Sequence, residues 1–171
     1  MKLIWTKSNM PISVLIRSIT GEDCSHFAFV FNTRAKGVMF ESNFLGTHIK
    51  FFESSKKSFE IVHELNLDTD LETEEKVWNK LIAVYDGKRY DFGGAIYLGI
   101  CILAKRLLRF KLPEKNIWAD PKAYFCDEVY EALHDIEHLP NIPVSNGMQT
   151  PYDVWLKVKG AFDESVTVRP N

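Results

Sequence analysis

The sequence predicts an α+β fold, a small antiparallel sheet packed against helices. Three observations carry that expectation. The first 66 residues hold short runs of β-branched and aromatic side chains, broken by turn-forming residues. Composition then changes sharply: residues 68–75 are acidic, and beyond them apolar residues recur at three- and four-residue intervals. Strand-like and helix-like segments thus occupy separate halves, unlike the alternation of a parallel α/β protein. No repeat, low-complexity tract or linker divides the 171 residues, so a single domain over 1–171 is expected.

The elements follow in order. Residues 2–6 read as a strand, and Pro11 opens a short helix to about Ile19 from a first-turn position. Gly21-Glu22-Asp23 is a turn. Residues 25–31 and 37–41, rich in Phe, Val and Met, form a hairpin across the polar segment 32–36. Residues 48–52 and 59–65 supply two further strands, with Ser54-Ser55-Lys56-Lys57 as their turn. Thr69 or Asp70 caps a helix running to about Tyr85, its apolar stripe being Val77, Leu81 and Val84 and its stop Gly87. A second helix, 94–108, is apolar on nearly all sides and is expected to be well buried. After a loop with Pro113 and Pro121, the spacing of Val129, Leu133 and Ile136 predicts a third amphipathic helix beginning at Cys126. The remainder, with Pro140, Pro143, Asn146, Gly147 and Pro151, is mostly loop before a late helix or strand near 152–158.

Composition narrows the function. Hydrophobic content of 46% and charged content of 26% are ordinary for a globular protein. A net charge of −2 gives no electrostatic case for nucleic acid. The basic cluster Lys105, Arg106, Arg109 and Lys111 reads as the solvated end of a helix. Cysteines at 24, 101 and 126 are odd in number and lack paired spacing, which argues against a disulfide scaffold and for a reducing compartment or free thiols. The start of the chain lacks the apolar segment of a signal peptide. The longest apolar run, around 96–104, falls far short of the ~20 residues a membrane span needs. A cytoplasmic location is the corresponding expectation.

Chemistry centres on Cys126. In the first turn of a helix, backbone N–H groups and the helix dipole favour the thiolate, the nucleophilic form. The alternative is an inert core cysteine. A nucleophilic thiol needs a base, and the base an orienting group. His26 opens the apolar strand 25–31, where alternation puts Ala28 and Val30 on its side and the phenylalanines on the other. Glu41, at the end of the neighbouring strand, is placed to accept a hydrogen bond from that imidazole. Each residue also has a bland reading, as a core histidine and a solvated strand end.

Ser25-His26-Phe27-Ala28-Phe29, Val38-Met39-Phe40-Glu41-Ser42, Gly87-Lys88-Arg89-Tyr90-Asp91-Phe92, Phe125-Cys126-Asp127-Glu128-Val129 and Thr150-Pro151-Tyr152-Asp153 occur in that order. This order resembles the circularly permuted papain-like hydrolases, YiiX-type relatives of the NlpC cell-wall peptidases, over roughly residues 12–156. The resemblance implies a permuted papain-like domain with Cys126 as nucleophile, His26 as general base, Glu41 as orienting residue and Tyr90 as a substrate-pocket residue. It implies a peptide, amide or acyl substrate, attacked at an amide or ester carbonyl through a thioester, with no metal and no cofactor. Amide hydrolysis is the leading reaction by that resemblance, with a peptide or peptidoglycan stem as an example of its substrate. The chain departs from the pattern at Asp127, where the family carries a small polar residue; an acid there raises the pKa of a neighbouring thiol.

Other readings stay open. Asp23-Cys24-Ser25 looks like the signature of unpermuted NlpC-type peptidases, with His48 or His63 as base, yet a strand pattern rather than a helix follows Cys24. His134 and His138 stand four residues apart, a spacing that binds zinc on one helical face, but no third ligand accompanies them. Lipid acyl transfer, thioester hydrolysis and a non-catalytic module that keeps the cleft are the remaining alternatives.

Overall fold

The computed structural model describes residues 1–32, 37–126, 128–137, 139, 140, 142 and 144–167, with side chains of the last helix to residue 163. Residues 33–36 of the expected hairpin connection, Asp127, His138 and Pro143 lie outside the described residues.

Five antiparallel strands, β1 (Lys2–Lys7), β2 (His26–Phe31), β3 (Val38–Asn43), β4 (Gly46–Phe51) and β5 (Glu60–Asn66), form one sheet in the order β4-β3-β2-β1-β5. The helices are α1 (Pro11–Thr20), the single turn α2 (Phe52–Ser55), α3 (Leu71–Tyr85), α4 (Phe92–Leu108) and α5 (Pro151–Thr167). The α+β class expected from the sequence is the class observed.

The sheet is buried on both faces, for different reasons. On one face Leu3, Trp5, Phe27, Phe29, Phe31 and Phe40 meet α3, α5 and a 3₁₀ turn over Val129–Leu133. Trp5 is central: its ring lies 5.0 Å from both Phe27 and Trp155, in the tilted and edge-on arrangements aromatic pairs prefer. The opposite face carries Ile4, Ala28, Val30 and Met39, covered by Phe52, Phe59 and Ile61. The register explains this sorting. Ile4 pairs with Ala28, and Ala28 with Glu41, so these residues share one face while their neighbours point the other way.

Three expectations need correction. β4 and β5 are not a hairpin; they occupy opposite edges of the sheet, with α2 and a 3₁₀ turn over Lys56–Ser58 between them. The outer edge of β1 has unpaired backbone groups that β5 satisfies, and the crossing segment lays Phe52 and Phe59 over the otherwise bare second face. The stripe of α3 is Val77, Leu81 and Tyr85, with Val84 exposed, because the buried face rotates by one residue at the last turn. Finally, α4 is not buried all round. Only Gly94, Leu98 and Ile102 are, whereas Phe92, Ile96, Ile100, Leu103 and Leu107 are exposed. Both sheet faces are already covered by other elements, so α4 packs on α1 and on the chain around Phe125 and Met148.

Local chemistry sets the helix ends. Asp70 caps α3, accepting from the Thr73 N–H at 2.7 Å. Asp91 caps α4, accepting from Gly94 N–H at 2.8 Å, and its second oxygen accepts from Asp120 N–H at 3.0 Å. Thr150 and Asp153 form a reciprocal capping box at the start of α5.

Candidate active site

His26 begins β2 and Glu41 lies two strand residues before the end of β3, on the face that carries Ala28 and Val30. Their side chains meet: His26 Nε2 donates to Glu41 Oε2 at 2.8 Å. Glu41 is 5% exposed. Its other oxygen accepts from Lys50 Nζ at 2.7 Å and Asn43 Nδ2 at 2.9 Å, and His48 Nε2 stands 3.2 Å away. Burial alone would raise this carboxyl. Hydrogen bonds from His26 and His48, the charge of His26 and the bond from Lys50 outweigh it and hold Glu41 far below the ordinary carboxylate range. The carboxylate is therefore an anion at neutral pH.

Cys126 reaches the same place from the second half of the chain. Arg89 bridges to Ala123, and Tyr124 N–H donates to Arg89 O at 2.9 Å, so the segment bearing Tyr90 runs beside the segment bearing Cys126. Ser42, next to Glu41, donates to Tyr124 O at 2.7 Å and ties both segments to β3. Cys126 is buried and, like Cys24 and Cys101, is a thiol rather than a disulfide.

A cavity of about 570 Å³ has Cys126, His26, Glu41 and Tyr90 in its walls. The four side chains singled out from the sequence thus line one cavity. Most of the remaining wall is aliphatic or aromatic, from α1 (Ile12, Leu15, Ile16) and α4 (Ile96, Ile100, Leu103). Tyr90 stands edge-on to Phe92, with centroids 5.0 Å apart.

The expected helix at Cys126 is not there. Cys126 sits in a turn, and the residues after it form only the five-residue 3₁₀ segment Val129–Leu133. Val129, Tyr130, Ala132 and Leu133 are all buried and only Glu131 is partly exposed, so this segment lacks the broad solvent face of an amphipathic helix. It packs into the aromatic core on the far side of the sheet rather than across the His26 face. Asp135 then adopts φ 57°, which ends helical geometry before His138. His134 Nδ1–H donates to Ile142 O at 2.9 Å, a structural bond. The zinc geometry inferred from His134 and His138 therefore has no helix to stand on.

Glu128 was not among the residues singled out. Its carboxylate accepts from Phe125 N–H at 3.1 Å, while Glu128 N–H donates to Phe125 O at 3.1 Å, so the two residues clamp the turn around Cys126. Burial, reinforced by the charges of Asp91 and Glu131, pushes the Glu128 carboxyl up to about 8 against the lowering effect of the Phe125 bond. The sequence signal was an acid two residues from the thiol; its burial is tertiary information.

A second grouping lies behind the sheet. The donor atoms of Asp23, Cys24 and His63 fall within 4.8 Å of one another, and His63 Nε2 is 3.2 Å from Asp23 Oδ1. The His63 ring stacks on Trp155 at 4.8 Å with a 7° tilt. These three residues could ligate a metal ion, one donor short of a closed structural zinc site. Cys24 is fully buried within the aromatic core, and the chain continues from it into β2, not a helix. It meets a histidine of the unpermuted reading but not the cavity.

No family model, no curated protein and no solved structure matches this chain.

Proposed function

We propose that the protein is a cysteine hydrolase that attacks an amide or ester carbonyl through a thioester acyl-enzyme. One observation carries the reading: the His26–Glu41 hydrogen bond of 2.8 Å lies in the wall of a cavity that also bears Cys126. With Nε2–H donating to Glu41, the proton-accepting nitrogen of the neutral ring is Nδ1. His26 takes the thiol proton as Sγ bonds to the carbonyl carbon, and returns it to the departing amine or alcohol as the C–N or C–O bond breaks. Water then gives a proton to His26 and adds to the thioester. Collapse releases a carboxylic acid and restores the thiol. Glu41 holds the ring in one tautomer and stabilises the imidazolium that forms. Tyr90 is a pocket residue beside the reacting carbonyl.

Peptide or amide hydrolysis is the primary reaction class. A second reading, lipid acyl transfer or thioester hydrolysis, is favoured by the aliphatic walls contributed by α1 and α4, which suit an acyl chain better than a charged peptide stem.

Iodoacetamide labelling near neutral pH, read by peptide mass spectrometry, tests the nucleophile. Cys126 is expected to alkylate ahead of Cys101 and Cys24, and Cys126→Ala to abolish turnover of activated amides, esters and thioesters with the fold intact. First labelling at Cys24, with Cys24→Ala as the inactive variant, would overturn the assignment.

A further inference from the structure

The exposed apolar row of α4 is Phe92, Ile96, Ile100, Leu103 and Leu107, each between 39% and 78% exposed; all but Leu107 also line the open cavity that bears Cys126, so the row runs from that cavity to the end of the helix. Their spacings of four, four, three and four residues put them on a single helical face. Beside α4, α1 exposes Ile12 and Leu15, 46% and 53%. A continuous apolar surface of this kind calls for an occupant.

Charge identifies it. Neither α1 nor α4, ten and seventeen residues long, contains one of the 23 acidic residues of the chain. At the end of α4 stand the exposed Lys105, Arg109 and Lys111, together with Arg106, whose guanidinium donates back to Ser18 O and Ile19 O of α1; they are interleaved with Leu107, Leu108 and Phe110, themselves 78%, 67% and 63% exposed. The protein as a whole is acidic by two charges, so this cationic end is a local feature. Basic side chains alternating with exposed large apolar ones match a lipid–water boundary: the apolar groups enter the acyl layer and the cations reach up to anionic headgroups. No described helix is long and apolar enough to cross a membrane, so the contact lies in the plane of the surface.

We infer that the α1–α4 face docks on an anionic lipid surface. The inference does not depend on the catalytic reading, although the cavity bearing Cys126 has its walls in the same two helices.

Flotation of the full chain with vesicles provides the test. Vesicles of phosphatidylcholine containing one third phosphatidylglycerol are expected to carry the protein up the gradient, more at low than at high salt. Pure phosphatidylcholine vesicles should carry less. Lys105→Ala combined with Arg109→Ala is expected to weaken binding to the anionic vesicles by about 30-fold, at roughly fivefold per cation. Leu107→Glu with Phe110→Glu should weaken binding to both vesicle types. These side chains are exposed, and circular dichroism melts verify that each variant folds. Cys126→Ala should bind like wild type, which separates this proposal from the hydrolase reading. Absence of flotation with anionic vesicles would overturn the proposal. So would binding that the charge and apolar variants leave unchanged. A dimer dissociated by Leu107→Glu with Phe110→Glu, without vesicle binding, would assign the face to a second copy of the chain instead.

Discussion

Replacing Glu128 by glutamine isolates the cost of keeping a carboxyl in the turn that carries Cys126. In the folded protein this group titrates at about 8, against an ordinary value of 4.5. Below pH 4.5 it is protonated in folded and unfolded chains alike and contributes nothing to pH dependence. Between the two values the unfolded chain releases the proton while the folded chain retains it, so stability falls as pH rises. Above 8 the loss is complete. The gap of about 3.5 pH units corresponds to roughly 5 kcal/mol at 1.36 kcal/mol per unit. Glu128 is only half-buried, so solvent screening reduces this to about 2–3 kcal/mol. Glu128→Gln keeps a carbonyl to accept from Phe125 N–H and cannot ionise. Wild type and variant should therefore match near pH 4.5 and diverge above it, the variant melting about 4–12 °C higher at pH 8. Circular dichroism melts at pH 4.5, 6 and 8 supply the comparison. Glu41, common to both proteins, cancels from the difference. Parallel melting curves across this range would show that the Glu128 carboxyl ionises normally and that the reasoning from its burial fails.

Other substitutions probe the remaining links. Glu41→Ala leaves His26, His48, Lys50 and Asn43 without their shared acceptor, and should cost about 3–5 kcal/mol in denaturant titration; Glu41→Gln should cost less and retain more kcat/KM. Because Glu41 is depressed in the folded state, its contribution is fully present above about pH 4.5 and is lost as the pH falls further, so the stability advantage of wild type over Glu41→Gln should be largest near neutral pH and should narrow progressively in acid. Gly94→Ala would place a methyl group 2.4 Å from Asp91 Oδ2 and should destabilise by about 1–3 kcal/mol, whereas Gly160→Ala meets nothing within 4 Å and should stabilise by up to ~1 kcal/mol. Chelator should leave turnover unchanged, and Cys24→Ala should remain active; loss of activity with chelator, restored by zinc, would promote Asp23, Cys24 and His63 to ligands of a working metal site.

Period-two and capping signals in the sequence proved the most informative. Alternation along 25–31 assigned His26 to the face of Ala28, and the register with β3 then brought Glu41 within hydrogen-bond range. Asp70 and Gly87 marked the ends of α3 through chemistry that is local in sequence. What escaped was decided by distant partners. Val129, Leu133 and Ile136 satisfy a helical period, yet burial of Tyr130 and Ala132 and the left-handed Asp135 produce a short 3₁₀ turn instead. The apolar composition of α4 read as a buried helix, because a sequence does not reveal that other elements have already claimed both faces of the sheet. Likewise, adjacency of two strands in the chain said nothing about which edges they would take.

The strand order has a consequence for how the chain folds. β1 to β4 pair with successive neighbours, so these contacts form over short separations, but Lys2 must find Asn66 before the sheet is complete. Closing a loop of that length is costly in entropy and is rewarded only when β5 docks. Until then the outer edge of β1, bearing Leu3, Ile4 and Trp5, presents unpaired amides beside large apolar side chains, a template for pairing with another chain. During synthesis that edge remains open until residue 66 has left the ribosome. A chain ending before Glu60 would hold it open indefinitely, so truncation there converts a strand buried in the finished sheet into a nucleus for aggregation.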